Sequence, residues 1–266
     1  MGKEHKLIEV VGQMVALTVE RLNRVPRMGE EERLRSLLES YLPPARVEDL
    51  LRNHLRAGRL PGLAEEEATV LFADIADSTK MAEQLGARLF GVRLQRYYED
   101  MTQIVFDHHG FLEKYLGDGV MAVFGMGDGN SDPEACALRA GLAMLDFVET
   151  NYDLDEEGIQ IGVGVNSGTV VAGYVRTRDR VDFTILGDTV NVAHGLQALA
   201  RPNRLFIGRA TQERVAGRFP IRELGTTLLK GREEPLDVYE VVREGVAIID
   251  FLDCYRANSD TRPSLR

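Results

Sequence analysis

Residues 68–75, ATVLFADI, form a run that is apolar apart from Thr69 until it meets a carboxylate, Asp74. A short apolar run rich in β-branched residues predicts a buried strand. A carboxylate in such a strand is expensive to bury unless it meets a partner, so Asp74 demands an explanation. Taken alone, it reads as a cap, as half of a buried ion pair, or as a functional group.

The segments that follow alternate in type. Ser78 and Thr79 offer an N-cap for a helix directly after the strand, and a longer helix is expected from about Ala87 to His109, ended by Gly110. FLEKYL and VMAVFG flank Gly117-Asp118-Gly119, a hairpin signal. Residues 133–150 read as a helix, and IQIGVGVNSGTVVAGYV reads as a pair of strands. VDFTIL predicts a strand, and residues 188–199 a helix. RLFIG, a short helix, IRELG and LDVYEVV complete the pattern. These elements segregate into an α+β fold, with helices covering a largely antiparallel sheet.

Upstream, residues 4–25 read as an amphipathic helix, with Leu7, Val10, Val11, Met14, Leu17 and Val25 at three- and four-residue steps. A second helix is expected from about Glu30, stopped by Pro43 and Pro44. A third spans Val47 to Arg56, with Gly58, Pro61 and Gly62 marking the linker. These helices read either as ordinary packing helices or as a stalk joining two subunits. The domain boundaries expected are a helical segment over 1–63, a central domain over 64–244 and a tail over 245–266.

Composition narrows the function. The formal net charge of −10 argues against a nucleic-acid binder, which would show a basic face. The two cysteines, Cys136 and Cys254, match no metal or redox spacing, and no apolar run reaches the length of a membrane span. The expectation is a soluble, cytoplasmic chain without a membrane segment.

Asp118 is the second acidic residue of interest. Between two glycines at a hairpin tip, it sits where backbone can approach a ligand closely, though alone it reads equally well as a plain turn aspartate. Were the hairpin to pair beside the first strand, Asp74 and Asp118 would converge into a hard-oxygen site suited to Mg²⁺ or Mn²⁺ with phosphate. The turn from Ile75 through Ala76, Asp77, Ser78 and Thr79 offers backbone N–H groups to phosphate oxygens; simple helix capping explains it as well.

LFADIADST, EKYLGDGVMAVFG, VGVNSGTVVAGYV and TILGDTVNVA occur in an order and spacing that resemble class III adenylate and guanylate cyclases, over roughly Ala68 to Val242. The resemblance implies a ferredoxin-like α+β domain that joins a second copy head to tail, with substrate in the groove between them and two metal ions, Mg²⁺ or Mn²⁺, per site. It assigns Asp74 and Asp118 to the metals, Lys114 and Thr184 to the base, Asn191 to the ribose and Lys230 to the terminal phosphate. Lys114 and Thr184 point to ATP over GTP: an ammonium donates to an adenine ring nitrogen, and a hydroxyl accepts from the 6-amino group. The Thr-type subclass also resembles cyclases responsive to bicarbonate or carbon dioxide. LIEVVGQMVALTVERLNR resembles the closing helix of a GAF domain, which implies an upstream sensor domain.

One position departs from the family pattern. After Asn191 the run is Val192-Ala193-His194-Gly195, and Gly195 stands where the family has an arginine that stabilises transition-state charge. Losing one such donor typically costs about 10²- to 10³-fold in rate. His194, Arg201 and Arg204 are the candidates to replace it. The departure leaves two readings: an adenylate cyclase of reduced activity, or a degenerate domain that binds nucleotide and relays a signal. A diguanylate cyclase or polymerase palm is disfavoured, because the GGDEF-type signature is absent and the net charge is wrong for a template binder.

Overall fold

The computed structural model describes residues 62–126, 132–152, 158–176 and 181–243. The helices expected before residue 60 and the tail from 245 lie outside the described residues.

The central strand, β1 (Ala64–Ile75), starts four residues earlier than its apolar run. Glu65, Glu66 and Glu67 continue the strand because Val171, Val170 and Thr169 of β4 (Ile161–Arg176) pair with them. The β1 side chains divide two cores. Leu71, Ala73 and Ile75 face the cluster formed with helices α1 (Ser78–Asp107) and α2 (Pro133–Asn151). Ala68, Val70 and Phe72 face a second cluster that takes in Ala193 of helix α3 (Asp188–Leu199). Burial on both faces accounts for the near-continuous hydrophobicity of the strand.

Helix α1 changes direction at Gly86 (φ 76°, ψ 154°), and the longer expected helix begins just after that break. Its N-cap is Asp77 rather than Ser78 or Thr79. Asp77 adopts the left-handed conformation, which Asp tolerates, and makes no side-chain cap bond.

The hairpin of β2 (Phe111–Leu116) and β3 (Gly119–Phe124) lies along one edge of β1, and β4 along the other. In β1, α1, β2, β3, α2 and β4 the order across the sheet is β2-β3-β1-β4, all antiparallel, which is the ferredoxin-like arrangement. Strands β6 (Arg204–Gly208), β8 (Leu236–Val241) and β7 (Ile221–Thr227) extend it beyond β4, and β5 (Val181–Leu186) pairs with the distal half of β4. Among the described strands only the β4–β6 pairing is parallel. A short helix, α4 (Arg209–Arg214), follows β6.

The expected strand pair in IQIGVGVNSGTVVAGYV is instead the single strand β4. Asn166-Ser167-Gly168 looks like a turn, yet each of these residues pairs in register with β1, opposite Val70, Thr69 and Ala68. A chain of buried hydroxyls, Thr69 to Ser167 (2.9 Å) and Ser167 to Thr211 (3.0 Å), satisfies the polar groups this continuous strand carries inward.

Candidate active site

The β1–β3 register places Asp74 opposite Gly119, so Asp118 at the hairpin tip stands next to it. The hydroxyl of Tyr98, on α1, donates to the Gly117 carbonyl and pins that tip. Glycine at 119 keeps the approach close: a Cβ there would lie 3.0 Å from Asp74 Oδ1 and 3.2 Å from the Ala73 carbonyl oxygen, a tight fit. The two carboxyl groups, 44 residues apart along the chain, therefore meet.

Their meeting has an electrostatic signature. Burial, then the charge of Asp118 and a hydrogen bond with it, pushes Asp74 up to about 7, against the pull of Arg201 and the Ile75 backbone N–H. Tyr97, fully buried beneath the pair, is raised well above its ordinary value, first by burial and then by both carboxylates. Two hard-oxygen groups held together at this cost fit a divalent cation, which would relieve their repulsion. Among the described residues no group of three or more His, Cys, Asp or Glu side chains gathers to hold a metal, so the pair supplies two side chains and leaves coordination positions for oxygens from elsewhere.

The turn after β1 is only partly available to a ligand. The Ala76 N–H donates to the Gln160 carbonyl (2.7 Å), so it is not free for phosphate. The Ile75 N–H is turned toward Asp74. Asp77, Ser78 and Thr79 stand at the start of α1, where backbone N–H groups have no partner within the helix. Asp77 and Thr79 are exposed and Ser78 half-buried.

The other candidates are spread over several elements, Lys114 on the Asp118 hairpin itself. Lys114 follows a bulge in β2, and its Nζ pairs with Glu113 at 2.9 Å. Thr184, half-buried on β5, stands opposite Gly173 of β4. Asn191 is exposed on α3, and Lys230 is exposed in the β7–β8 connection. That connection is docked onto α3, for Arg232 pairs with Asp188 at the start of the helix. No hydrogen bond or ion pair among the described residues joins Lys114, Thr184, Asn191 or Lys230 to Asp74 or Asp118.

The space beside Gly195 is filled. A Cβ there would lie 2.6 Å from Leu229 Cδ1, and Leu229 is 5% exposed within the cluster of Val192, Leu196, Ala200, Phe206 and Val238. An arginine at 195 would have to displace this leucine. Of the three candidate replacements, His194 packs on Phe72 with ring centroids 5.2 Å apart. Arg204 makes a two-point bond to Glu240, both contacts at 2.7 Å. Arg201 alone reaches the acidic corner, where its guanidinium bonds the Asp74 carboxylate. Nothing in the spacing of Arg201 announces this contact, because it follows α3 by two residues and lies 127 positions from its partner.

A protein-family model described as the adenylate and guanylate cyclase catalytic domain matches residues 63–242. An adenylate cyclase from Anabaena cylindrica is 32% identical over 186 residues, covering 65% of this chain and 36% of that protein. Adenylate cyclase 1 from Rhizobium meliloti is 29% identical over 210 residues, covering 76% of this chain and 31% of that protein. The chain therefore spans about a third of the length of these relatives. Among solved structures, the adenylyl cyclase CyaB of P. aeruginosa aligns with a TM-score of 0.65 and 26% identity, over 70% of this chain and 100% of that one. The guanylate cyclase domain of RhGC from Catenaria anguillulae, solved with GTP, shares the fold at a TM-score of 0.62 and 24% identity, over 67% of this chain and 98% of that one. From the ferredoxin-like sheet, the paired carboxylates and these matches it follows that the chain belongs to the adenylate and guanylate cyclase catalytic-domain family.

Proposed function

We propose that the domain is an adenylate cyclase, converting ATP to 3′,5′-cyclic AMP and pyrophosphate at a site completed by two copies of the chain. The observation that carries this reading is the convergence of Asp74 and Asp118, which β1–β3 pairing brings to one acidic corner. In the pairing implied by the family resemblance, one subunit supplies Asp74 and Asp118, and its partner supplies Lys114, Thr184, Asn191 and Lys230. The adenylate cyclases among the relatives, and Lys114 with Thr184 at the base-reading positions, support ATP over GTP.

In this reading the ribose 3′-hydroxyl attacks the α-phosphorus in line, and pyrophosphate departs. Asp74 and Asp118 would hold two Mg²⁺ or Mn²⁺ ions with their carboxylate oxygens, and ions held there would supply a lowered pKa at the attacking hydroxyl and neutralisation of phosphate charge. Lys114 donates to an adenine ring nitrogen and Thr184 accepts from the 6-amino group. Asn191 orients the ribose, and Lys230 binds the terminal phosphate. The N–H groups of Asp77, Ser78 and Thr79 face the phosphates; Ile75 and Ala76 shape the turn with their own amides engaged. Positioning carries most of the rate, and no covalent intermediate is required.

A second reading is favoured by one observation, the leucine that fills the space beside Gly195. Without an arginine there, the domain binds nucleotide and relays a signal with little turnover. Incubation with Mn²⁺ and ATP separates the two readings: cyclic AMP above a no-enzyme control supports the first, and nucleotide binding without cyclic AMP supports the second. Shared-site architecture is tested by mixing Asp74→Ala and Asn191→Ala chains. Each alone is expected to be inactive, and an equal mixture to recover about a quarter of wild-type activity, since half of the dimers are mixed and each of these has one intact site of two. No recovery from dimers verified by light scattering refutes the shared site.

A further inference from the structure

The ion pair between Arg201 and Asp74 has no place in the chemistry described above, yet the surrounding sheet leaves room for it. Asp74 is flanked in the sheet by glycine on both sides, Gly119 on β3 and Gly162 on β4. The first leaves room for the Asp118 side of the corner. The second gives passage to the arginine: a Cβ on Gly162 would lie 2.8 Å from Arg201 Cγ and 2.7 Å from the Gln197 carbonyl oxygen. The aliphatic stem of Arg201 therefore crosses β4 at Gly162, where no side chain stands in its way, and the guanidinium ends on Asp74 Oδ2. Its Nε is buried and has no hydrogen-bond partner among the described residues, so the Asp74 carboxylate is the anchor of this group. The pair is only partly exposed, at 33% for Arg201 and 25% for Asp74, where water screens a charge contact less than on an open surface.

We infer that Arg201 is a tethered cation that competes with divalent metal for Asp74. This inference rests on the reading of Asp74 and Asp118 as metal ligands. A guanidinium already bonded to one oxygen of Asp74 removes part of the donor set. It also places a positive charge within a few ångströms of the incoming ion. For metal to bind through both carboxylates, Arg201 must let go and swing out along the Gly162 passage. The arginine thereby holds the empty acidic corner together and sets a threshold of metal, or of metal-bound triphosphate, below which the corner stays closed.

The test is Mn²⁺ binding to the full chain without nucleotide, followed by the electron paramagnetic resonance of the free ion. Arg201→Gln, which keeps the stem and removes the charge, is expected to bind Mn²⁺ about tenfold tighter than wild type, the scale of one charge-assisted hydrogen bond. Arg201→Lys keeps a cation but loses the fork geometry and is expected to tighten binding by a smaller factor. Adding Asp74→Asn to Arg201→Gln is expected to abolish the gain. Equal or weaker Mn²⁺ affinity in Arg201→Gln, with circular dichroism and thermal melting unchanged, overturns the competition while leaving the two-carboxylate site standing. Absence of Mn²⁺ binding in wild type and variants alike overturns the competition and the metal-ligand reading together. Should Arg201→Gln not fold, the lysine variant decides: it must bind more tightly than wild type.

Discussion

At the residue scale, Asp74 concentrates the conflict between stability and function. An acid whose folded-state value is raised holds a proton in the folded chain that it would release unfolded. Between the ordinary value of 3.8 and about 7, the folded state therefore binds more protons, and the contribution of Asp74 to stability falls as pH rises through this window. Other carboxylates act in the opposite sense: Glu67 is held low by hydrogen bonds from Thr169 and Arg214, so it favours the folded state above its ordinary value. Comparing wild type with Asp74→Asn isolates the one group. The variant is expected to gain thermal stability relative to wild type as metal-free samples go from pH 5 to pH 8, most steeply between about 5 and 6 and levelling off above about 7. A difference in melting temperature that stays flat across that range excludes the raised value. Metal binding should follow the same titration in reverse, weakening below about 7 as Asp74 takes up its proton.

At the element scale, the fit of α3 on β4 determines where Asn191 and Arg201 end up. Gly164 lies beneath the helix, where a Cβ would come within 2.2 Å of the Gln197 backbone nitrogen and 2.3 Å of the Ala193 carbonyl oxygen. Helix and strand are in backbone contact, and no rotamer change relieves the overlap. Asn166 Nδ2 donates to the Thr189 carbonyl (3.4 Å), and the Thr189 hydroxyl to the Thr169 carbonyl (2.8 Å), which secures the start of the helix. Gly164→Ala is expected to cost about 3 kcal/mol in urea unfolding, the upper range for overpacking, because backbone has to move. Gly86→Ala tests something else, since open space surrounds that glycine and only its positive φ penalises a side chain. The glycines of VGVNSG and LGDG are visible in the sequence, but which one faces a helix and which one faces a carboxylate depends on register.

At the scale of the whole molecule, the proposed shared site makes self-association the property to test. Leu186 at the end of β5 and Leu228 after β7 are 52% and 54% exposed, apolar area that a second copy would cover. Leu186→Glu is expected to leave the melting temperature within about 2 °C of wild type, since the side chain contributes little to the core. It should nonetheless shift sedimentation toward the monomer and lower cyclic AMP production in proportion. An unchanged sedimentation profile removes β5 from the interface. Among the described residues no helix is long and apolar enough to cross a membrane.

The sequence alone carried the order of strands and helices, the hairpin around Asp118 and the four motifs that place the chain in its family. Each is a local property, legible from periodicity, turn chemistry and spacing. It did not carry the continuity of β4 through Asn166-Ser167-Gly168, because a turn-like composition is overruled by pairing with β1 along its whole length. Nor could it settle what stands beside Gly195 or which arginine reaches Asp74. Leu229 and Arg201 arrive there from 34 residues downstream and 127 residues away, and only the packing of α3 against β4 determines which side chains share that space.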